Sequence, residues 1–168
     1  MLFRSLDRGA DINIVTGGFA CGTALAMAAL GGSEAIVQLL LDRGADINIV
    51  ADECVFGTAL AAAAGGGSEV IVSLLLDRGA DINIVAGKCL SGTALAAAAE
   101  NGDEAIVQLL LDRGADINIV TGGSACGTAL AMAALGGSEA IVQLLLDRGA
   151  DINIVAGGSA CEIGRAHV

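Results

Sequence analysis

A six-residue motif, Arg-Gly-Ala-Asp-Ile-Asn, returns at a fixed interval along the chain and constrains its fold more than any other feature. The motif begins at Arg8, Arg43, Arg78, Arg113 and Arg148, so each copy follows the previous one after 35 residues. A constant period of this length is typical of stacked supersecondary units. The chain is therefore predicted to form a repeat array, in which each unit is stabilised mainly by its neighbours.

Each unit has the sequence pattern of two short helices joined by a turn. Thr58 and Ser68 are suited to cap the starts of the two helices. Gly67 and Gly79 are suited to the left-handed backbone conformation of the residue that follows each helix end. The second helix is expected to bury an apolar stripe made of Ile71, Val72, Leu74, Leu75 and Leu76. After Gly79, the segment 80–85 is expected to form an extended arm that leads to a Gly-rich or polar tip.

The same residues resemble the ankyrin repeat. The family pattern is met by Thr58, Leu60, Ala63, Ala64, Gly67, Ile71, Val72, Leu74, Leu75, Gly79, Ala80, Asp81 and Asn83. The resemblance implies an all-α repeat solenoid of helix-turn-helix units with extended hairpin or loop tips. Ala59 and Ala61 stand where the family has Pro and His, so we expect a somewhat lower stability with the fold unchanged. The Gly-Thr-Ala-Leu segment is similar to a variant frequent in fungal ankyrin arrays.

The spacing of the motif also predicts the boundaries of the units. We expect a partial repeat over 1–22, four repeats over 23–57, 58–92, 93–127 and 128–161, and a non-native tail over 162–168. The tail, EIGRAHV, resembles the translation of a sequencing-library adaptor. Both ends lack the polar capping repeats that solenoids need, so the chain is expected to be a fragment of a longer array.

Two segments, one near each end of the array, are almost identical in sequence. Residues 6–50 match 111–155 except that Phe19 corresponds to Ser124. Such identity indicates either a very recent duplication or a misassembled sequence.

Charge and composition restrict the class of partner. The net charge is −11, from 19 acidic and 8 basic residues, so nucleic acids and anionic membrane surfaces are poor partners. The uncharged stretch 12–33 is not expected to span a membrane, because it contains several glycines and is copied at 117–138. Five cysteines and a start without a secretory signal predict free thiols and an intracellular location, cytoplasmic or nuclear.

Candidate catalytic and metal-binding groups are sparse. His167 is the only histidine and lies in the tail, which leaves a Ser or Cys nucleophile without a base. Asp42, Asp46 and their equivalents recur beside Arg43 or its equivalent, a pattern that favours a solvated charge ladder over acid and base catalysis. The cysteines fall singly on successive tips, too far apart to converge on zinc. We therefore expect no catalytic residue, no metal site and no cofactor.

Differences between the units indicate where a partner would bind. The tips read TGGFAC, ADECVF, AGKCLS and TGGSAC, whereas the helices scarcely change. The candidate partner-binding residues are Phe19, Asp52, Glu53, Val55, Phe56, Lys88 and Leu90, with Glu100, Asn101 and Asp103 as weaker candidates. In the ankyrin arrays that this chain resembles, the tips and first helices line the concave binding face. The alternative is that Val55 and Phe56 only pack against adjacent tips.

The favoured functional hypothesis is a non-catalytic scaffold for protein–protein interaction. Its acidic, extended surface would suit a protein partner of basic character. One alternative is a spacer or sensor segment of a larger signalling protein, such as the NTPase receptors that carry ankyrin arrays in fungi. A second is an enzyme, which would need polar groups that converge in a pocket, and a third is that the arrangement of near-identical units is an assembly artefact.

Overall fold

The computed structural model describes residues 11–17, 22–51, 54–86, 91–122 and 127–154, and these residues form eight helices in four consecutive pairs. In chain order they are α1 (Ala24–Leu30), α2 (Glu34–Asp42), α3 (Ala59–Gly65), α4 (Glu69–Asp77), α5 (Ala94–Asn101), α6 (Glu104–Asp112), α7 (Ala129–Leu135) and α8 (Glu139–Asp147). The first helix of each pair is α1, α3, α5 or α7, and the second is α2, α4, α6 or α8. The prediction of an all-α helix-turn-helix array is confirmed.

A buried threonine begins every first helix. The side-chain oxygens of Thr23, Thr58 and Thr93 each accept a hydrogen bond at 3.1 Å from the backbone N–H three residues later, and that of Thr128 does so at 3.3 Å. The N–H groups of a first helical turn have no partner within the helix, so each threonine satisfies one of them. The cap predicted at Thr58 is confirmed.

The second helices begin and end as their sequence indicates. Ser68 Oγ accepts a hydrogen bond from the Ile71 N–H at 3.4 Å, which confirms the second predicted cap. Gly67 and Gly79 have φ angles of 73° and 90°, the left-handed conformation that a side chain would strain. The polypeptide therefore turns sharply after each helix, and the two helices of a pair pack against each other.

Replacing Thr93 with alanine is expected to lower the free energy of unfolding by about 1 kcal/mol, the usual cost of losing an N-cap. Thr93→Ser keeps the acceptor oxygen and should recover most of that loss. Ser33→Ala is a matched control, because Ser33 is an N-cap residue whose side chain makes no capping hydrogen bond. Urea denaturation followed by circular dichroism measures all three, and equal losses for Thr93→Ala and Ser33→Ala would contradict the assignment.

The core is a continuous layer of branched side chains between the first and second helices. Leu40, Leu75, Leu110 and Leu145 occupy the same place in successive units, and each is 0% exposed. Ile71 and Val72 are also fully buried, as predicted, but Leu74 and Leu76 are only partly buried because they flank the stripe. Neighbouring first helices pack along their lengths, since their alanine side chains allow close approach.

The same hydrogen bond, from a backbone N–H to an asparagine side chain, recurs at the described junctions between units. Asn48 Oδ1 accepts from the Asp81 N–H of the next unit at 2.8 Å, and Asn13, Asn83 and Asn118 do the same with the equivalent aspartates at 2.8–2.9 Å. Asp81 Oδ1 in turn accepts from the Asn83 N–H at 3.0 Å and holds a tight turn. The segment 80–85 was expected to be extended. This expectation was wrong for the first residues of the segment, where Asp81 forms a turn at the junction between units.

A ladder of exposed ion pairs follows the ends of the second helices. Arg78, Arg113 and Arg148 pair with Asp42, Asp77 and Asp112 of the preceding units at 3.4, 2.9 and 3.1 Å. A hydrogen bond from Gln108, together with Arg148, holds the pKa of Asp112 below its ordinary value of 3.8. The predicted charge ladder is present, and it connects neighbouring units rather than residues of one helix end. Exposed pairs of this kind contribute little to stability.

The four tips whose two ends are described are each closed at the base by a backbone hydrogen bond. The N–H groups of Thr16, Ala51, Ala86 and Thr121 donate to the carbonyl oxygens of Gly22, Gly57, Gly92 and Gly127 at distances of 2.8–3.0 Å. The base of these four tips is therefore the same, while the tip sequence varies. None of the helices in the described ranges is long and apolar enough to cross a membrane.

Candidate functional site

The candidate partner-binding residues predicted from the tips are only partly covered by the structure. Phe19, Asp52, Glu53, Lys88 and Leu90 lie outside the described residues. Val55 and Phe56 are described and are half-buried near the end of the tip that leads into α3. The described part of the candidate site therefore consists of these two residues and the helix ends beside them.

Phe56 packs onto Gly65, the last residue of α3. A side chain on Gly65 would overlap the ring of Phe56 at its Cε1 and Cζ atoms, so the ring lies directly against the glycine backbone. The other first helices have leucine or glutamate at this position, as Leu30, Glu100 and Leu135 show. The aromatic side chain of the tip and the glycine of the helix thus depend on each other.

The equivalent two positions one repeat later, at α5, form a different contact. Ser91, the last tip residue, donates a hydrogen bond from its hydroxyl group to the Glu100 carboxylate on α5. Ser91 is fully buried, whereas Glu100 remains partly exposed. A buried hydroxyl without a partner would cost free energy, so the carboxylate both satisfies Ser91 and is held in place by it.

The two variable positions change together from unit to unit. They are nine residues apart in the sequence, and they carry Phe56 with Gly65 at α3 and Ser91 with Glu100 at α5. The equivalent pairs at α1 and α7 both have cysteine and leucine, at Cys21 with Leu30 and at Cys126 with Leu135. The residues where a tip meets the end of a first helix therefore vary along the array.

A cleft opens between the second and third units at these positions. Its volume is about 300 Å³, and we name it the tip cleft; it is lined by Val55, Phe56, Gly65, Ala97, Glu100 and Asn101. The tip cleft brings together two of the predicted tip residues and two of the weaker candidates, Glu100 and Asn101. An aromatic ring, a carboxylate and an amide thus converge on one opening between adjacent units.

A backbone hydrogen bond at Val55 connects neighbouring tips. Its carbonyl oxygen accepts a hydrogen bond from the Ser91 N–H at 3.4 Å, which ties the second tip to the third. This bond uses the backbone only, and the side chains of Val55 and Phe56 still line the tip cleft. Packing between tips and an accessible cleft therefore coexist at these two residues.

Asp103, the remaining weaker candidate, has a structural role. Its Oδ1 atom accepts a hydrogen bond from the Ile106 N–H at 3.1 Å and caps α6. The other second helices use serine at this position, as Ser68 and Ser138 show. The aspartate therefore belongs to the turn between the helices and not to the tip cleft.

Sequence comparison of the units missed a second opening, on the second helices. A groove of about 510 Å³ lies between α4 and α6, and we name it the outer groove; it is lined by Glu69, Val70, Ser73, Leu74, Asp77 and Leu109. Val70 is 58% exposed, and it replaces the alanine that the other second helices have there. The signal was visible in the sequence, because α4 reads EVIVSLLLD where the other three second helices read EAIVQLLLD.

Cys54 departs from the expectation of free thiols. It is disulfide-bonded and only 5% exposed, and it packs with Ala51 and Ala86 of the arms on either side. The expectation was therefore wrong for this residue, and Cys21, Cys89, Cys126 and Cys161 lie outside the described residues. A disulfide favours an oxidising environment. Cys54 therefore does not support the intracellular location that was expected from free thiols.

Within the described ranges, no three His, Cys, Asp or Glu side chains are grouped closely enough to hold a metal ion. Glu100, the acidic group of the tip cleft, is oriented by a serine hydroxyl and an apolar wall. What this arrangement offers chemically is recognition of a charged or polar side chain.

Comparison with known proteins identifies the repeat. A family profile described as "Ankyrin repeats (3 copies)" matches residues 2–86, 25–121 and 86–156, which together include nearly all of the chain. No curated protein matches the chain in a sequence comparison. The matched ranges contain all eight helices, their threonine caps and the joints between units. The chain belongs to the ankyrin repeat family.

Proposed function

We propose that the chain is a non-catalytic scaffold that binds a partner protein through its tips and the adjoining ends of its first helices. The binding residues in this proposal are Phe19, Asp52, Glu53, Val55, Phe56, Lys88 and Leu90, now extended to Glu100 and Asn101. Ankyrin repeats are generally protein-interaction modules, and their domains are typically non-catalytic. The unit boundaries that we propose, 23–57, 58–92, 93–127 and 128–161, place one threonine cap at the start of each unit.

The paired variation of tips and helix ends is the observation that carries this proposal. Residues that stack the units are kept the same, as the buried leucine of every second helix illustrates. By contrast, Phe56 with Gly65 and Ser91 with Glu100 differ in size, polarity and charge, yet each pair forms a local contact. A surface that varies over a constant scaffold is what a specific interaction requires, because specificity is a difference between partners.

The net charge of the chain supports a partner of basic character. Of the six described residues that line the tip cleft, Glu100 is the only charged one, and it is acidic. The chain as a whole carries −11. Complementary charge steers association and suppresses wrong partners, so a cationic segment is the expected ligand. The proposal places no nucleic acid, membrane or cofactor at this surface.

The test is selection of binders from a displayed library of random peptides on the immobilised full-length chain. Peptides that bind at the tips should lose at least about ten-fold in affinity when Phe56 is replaced by serine, because buried aromatic anchors dominate such interfaces. Val70→Ala, in the outer groove, is the matched control and should leave the affinity within about two-fold. A thermal melt of each variant separates lost binding from lost folding.

Two results would overturn the proposed function. One is that no peptide is enriched over an unrelated protein of equal charge. The other is that every selected peptide is sensitive to Val70→Ala and indifferent to Phe56→Ser, which would move recognition to the outer groove.

A further inference from the structure

We propose that the tip cleft binds the guanidinium group of an arginine side chain presented by the partner protein. This inference rests on the proposed function and specifies the chemistry of the residue that the cleft accepts. It is carried by three features of the cleft: an aromatic wall, an oriented carboxylate and a volume that suits one long side chain.

The aromatic wall is the ring of Phe56. Its contact with Gly65 fixes the ring against the end of α3, and the side chain still lines the opening. A planar cation stacks favourably on an aromatic face, and arginine does so more often than lysine. The neighbouring Val55 and Ala97 provide apolar surface for the methylene groups of an arginine stem.

The carboxylate is that of Glu100, which lines the same cleft as Phe56. The hydroxyl of Ser91 donates to its Oε2 atom and fixes the orientation of the group. A carboxylate can accept about four hydrogen bonds, so this bond leaves capacity for a paired contact with the two N–H groups of a guanidinium edge. Because Ser91 is buried, its hydroxyl holds the carboxylate from the protein side and leaves the cleft side for the ligand.

The amide of Asn101 adds a neutral polar group at the rim. Its Nδ2 atom would lie 3.4 Å from a side chain on Gly67, so the amide spans the boundary between the second and third units. The described lining residues include one carboxylate, one amide and no cation, which favours a positively charged ligand group. A volume of about 300 Å³ accommodates one long side chain and excludes a folded element.

A direct test uses the isotope-labelled full-length chain and three capped tripeptides, Gly-Arg-Gly, Gly-Lys-Gly and Gly-citrulline-Gly, in NMR titrations. Citrulline has the shape of arginine without its charge. The arginine peptide should shift the amide signals of Phe56, Ala97 and Glu100 in a saturable manner. The lysine peptide should bind more weakly, and the citrulline peptide should bind at least about five-fold more weakly than arginine, since it offers no charged hydrogen bond.

Glu100→Gln is the decisive variant, because glutamine keeps an acceptor for Ser91 and removes the negative charge. It should weaken binding of the arginine peptide about five-fold, the difference between a charged and a neutral hydrogen bond. Glu104→Gln is the matched control, since Glu104 is an exposed glutamate of the same unit outside the cleft. Circular dichroism establishes that both variants are folded.

The inference would be overturned if the arginine peptide shifted none of the three signals. The same holds if citrulline bound as well as arginine, or if Glu100→Gln behaved as Glu104→Gln. Should selected peptides still depend on Phe56 in the display experiment, the proposed function would stand and only the arginine specificity would fall. If neither experiment detected binding, both proposals would fall together.

Discussion

Replacing Leu75 with alanine is expected to lower the free energy of unfolding by about 2–5 kcal/mol, the range found for leucine truncations in well-packed cores. Leu75 is 0% exposed in α4, a helix that contacts both α2 and α6. The truncation therefore removes apolar contacts within its own unit and weakens the stacking on both sides. In a repeat protein, stability is approximately a sum over units and their interfaces, so loss in a central unit affects the whole array.

The control for Leu75→Ala is Leu135→Ala in α7. Leu135 is 68% exposed, and its truncation should change stability by no more than about 0.5 kcal/mol. Urea denaturation followed by circular dichroism measures both variants. Equal losses for the two, or a loss below about 1 kcal/mol for Leu75→Ala, would contradict a core that is continuous through the middle units.

Replacing Gly65 with leucine is expected to destabilise the chain by about 1–3 kcal/mol, the usual cost of inserting a side chain where space is already filled. Leucine is acceptable to the helix itself, since Leu30 and Leu135 occupy the equivalent positions of other units. The cost arises because any side chain on Gly65 overlaps the ring of Phe56. The variant therefore tests whether the tip and the helix end are truly coupled.

A double-mutant cycle provides the control for Gly65→Leu. Phe56→Ser removes the ring and introduces the residue found at the equivalent position one repeat later, Ser91. If the two positions are coupled, Phe56→Ser with Gly65→Leu should be more stable than the sum of the single losses predicts, by at least about 0.5 kcal/mol. Strict additivity would show that the ring is free to move aside, and that Phe56 is not held in the cleft as described.

The local features of the fold were readable from the sequence because each depends on a few adjacent residues. Thr58 and Ser68 are caps because a hydroxyl three residues before a backbone N–H can accept from it. Gly67 and Gly79 adopt positive φ angles because the helix must reverse there. The 35-residue period then fixes how the same elements recur, and all of these predictions were confirmed.

Features that depend on contact between units were less accessible to sequence reasoning. The aspartates at the helix ends were assigned to arginines close to them in the chain, whereas Arg78 reaches back to Asp42 in the preceding unit. The turn at Asp81 likewise exists to present a backbone N–H to Asn48. Free thiols were expected from an odd cysteine count, but a count carries no information about which cysteines meet, and Cys54 is disulfide-bonded.

The candidate site was predicted in part. Variation among the tips pointed to Val55 and Phe56, and variation at one helix end pointed to Glu100 and Asn101, all of which line the tip cleft. The sequence did not reveal that these positions pair across nine residues, since the pairing depends on how the end of the tip packs on the end of the first helix. The outer groove was missed because Val70 and Ser73 are conservative-looking changes within an otherwise constant helix.

The uniform joint between units has a consequence for how such an array changes length. The asparagine of one unit accepts the same hydrogen bond from the backbone of the next unit at all four described junctions. Any unit can therefore follow any other. A whole unit can be gained or lost, and the units that then become neighbours still form this hydrogen bond. Recombination between near-identical copies would thus yield foldable products at once, each with a new combination of tip residues along its length.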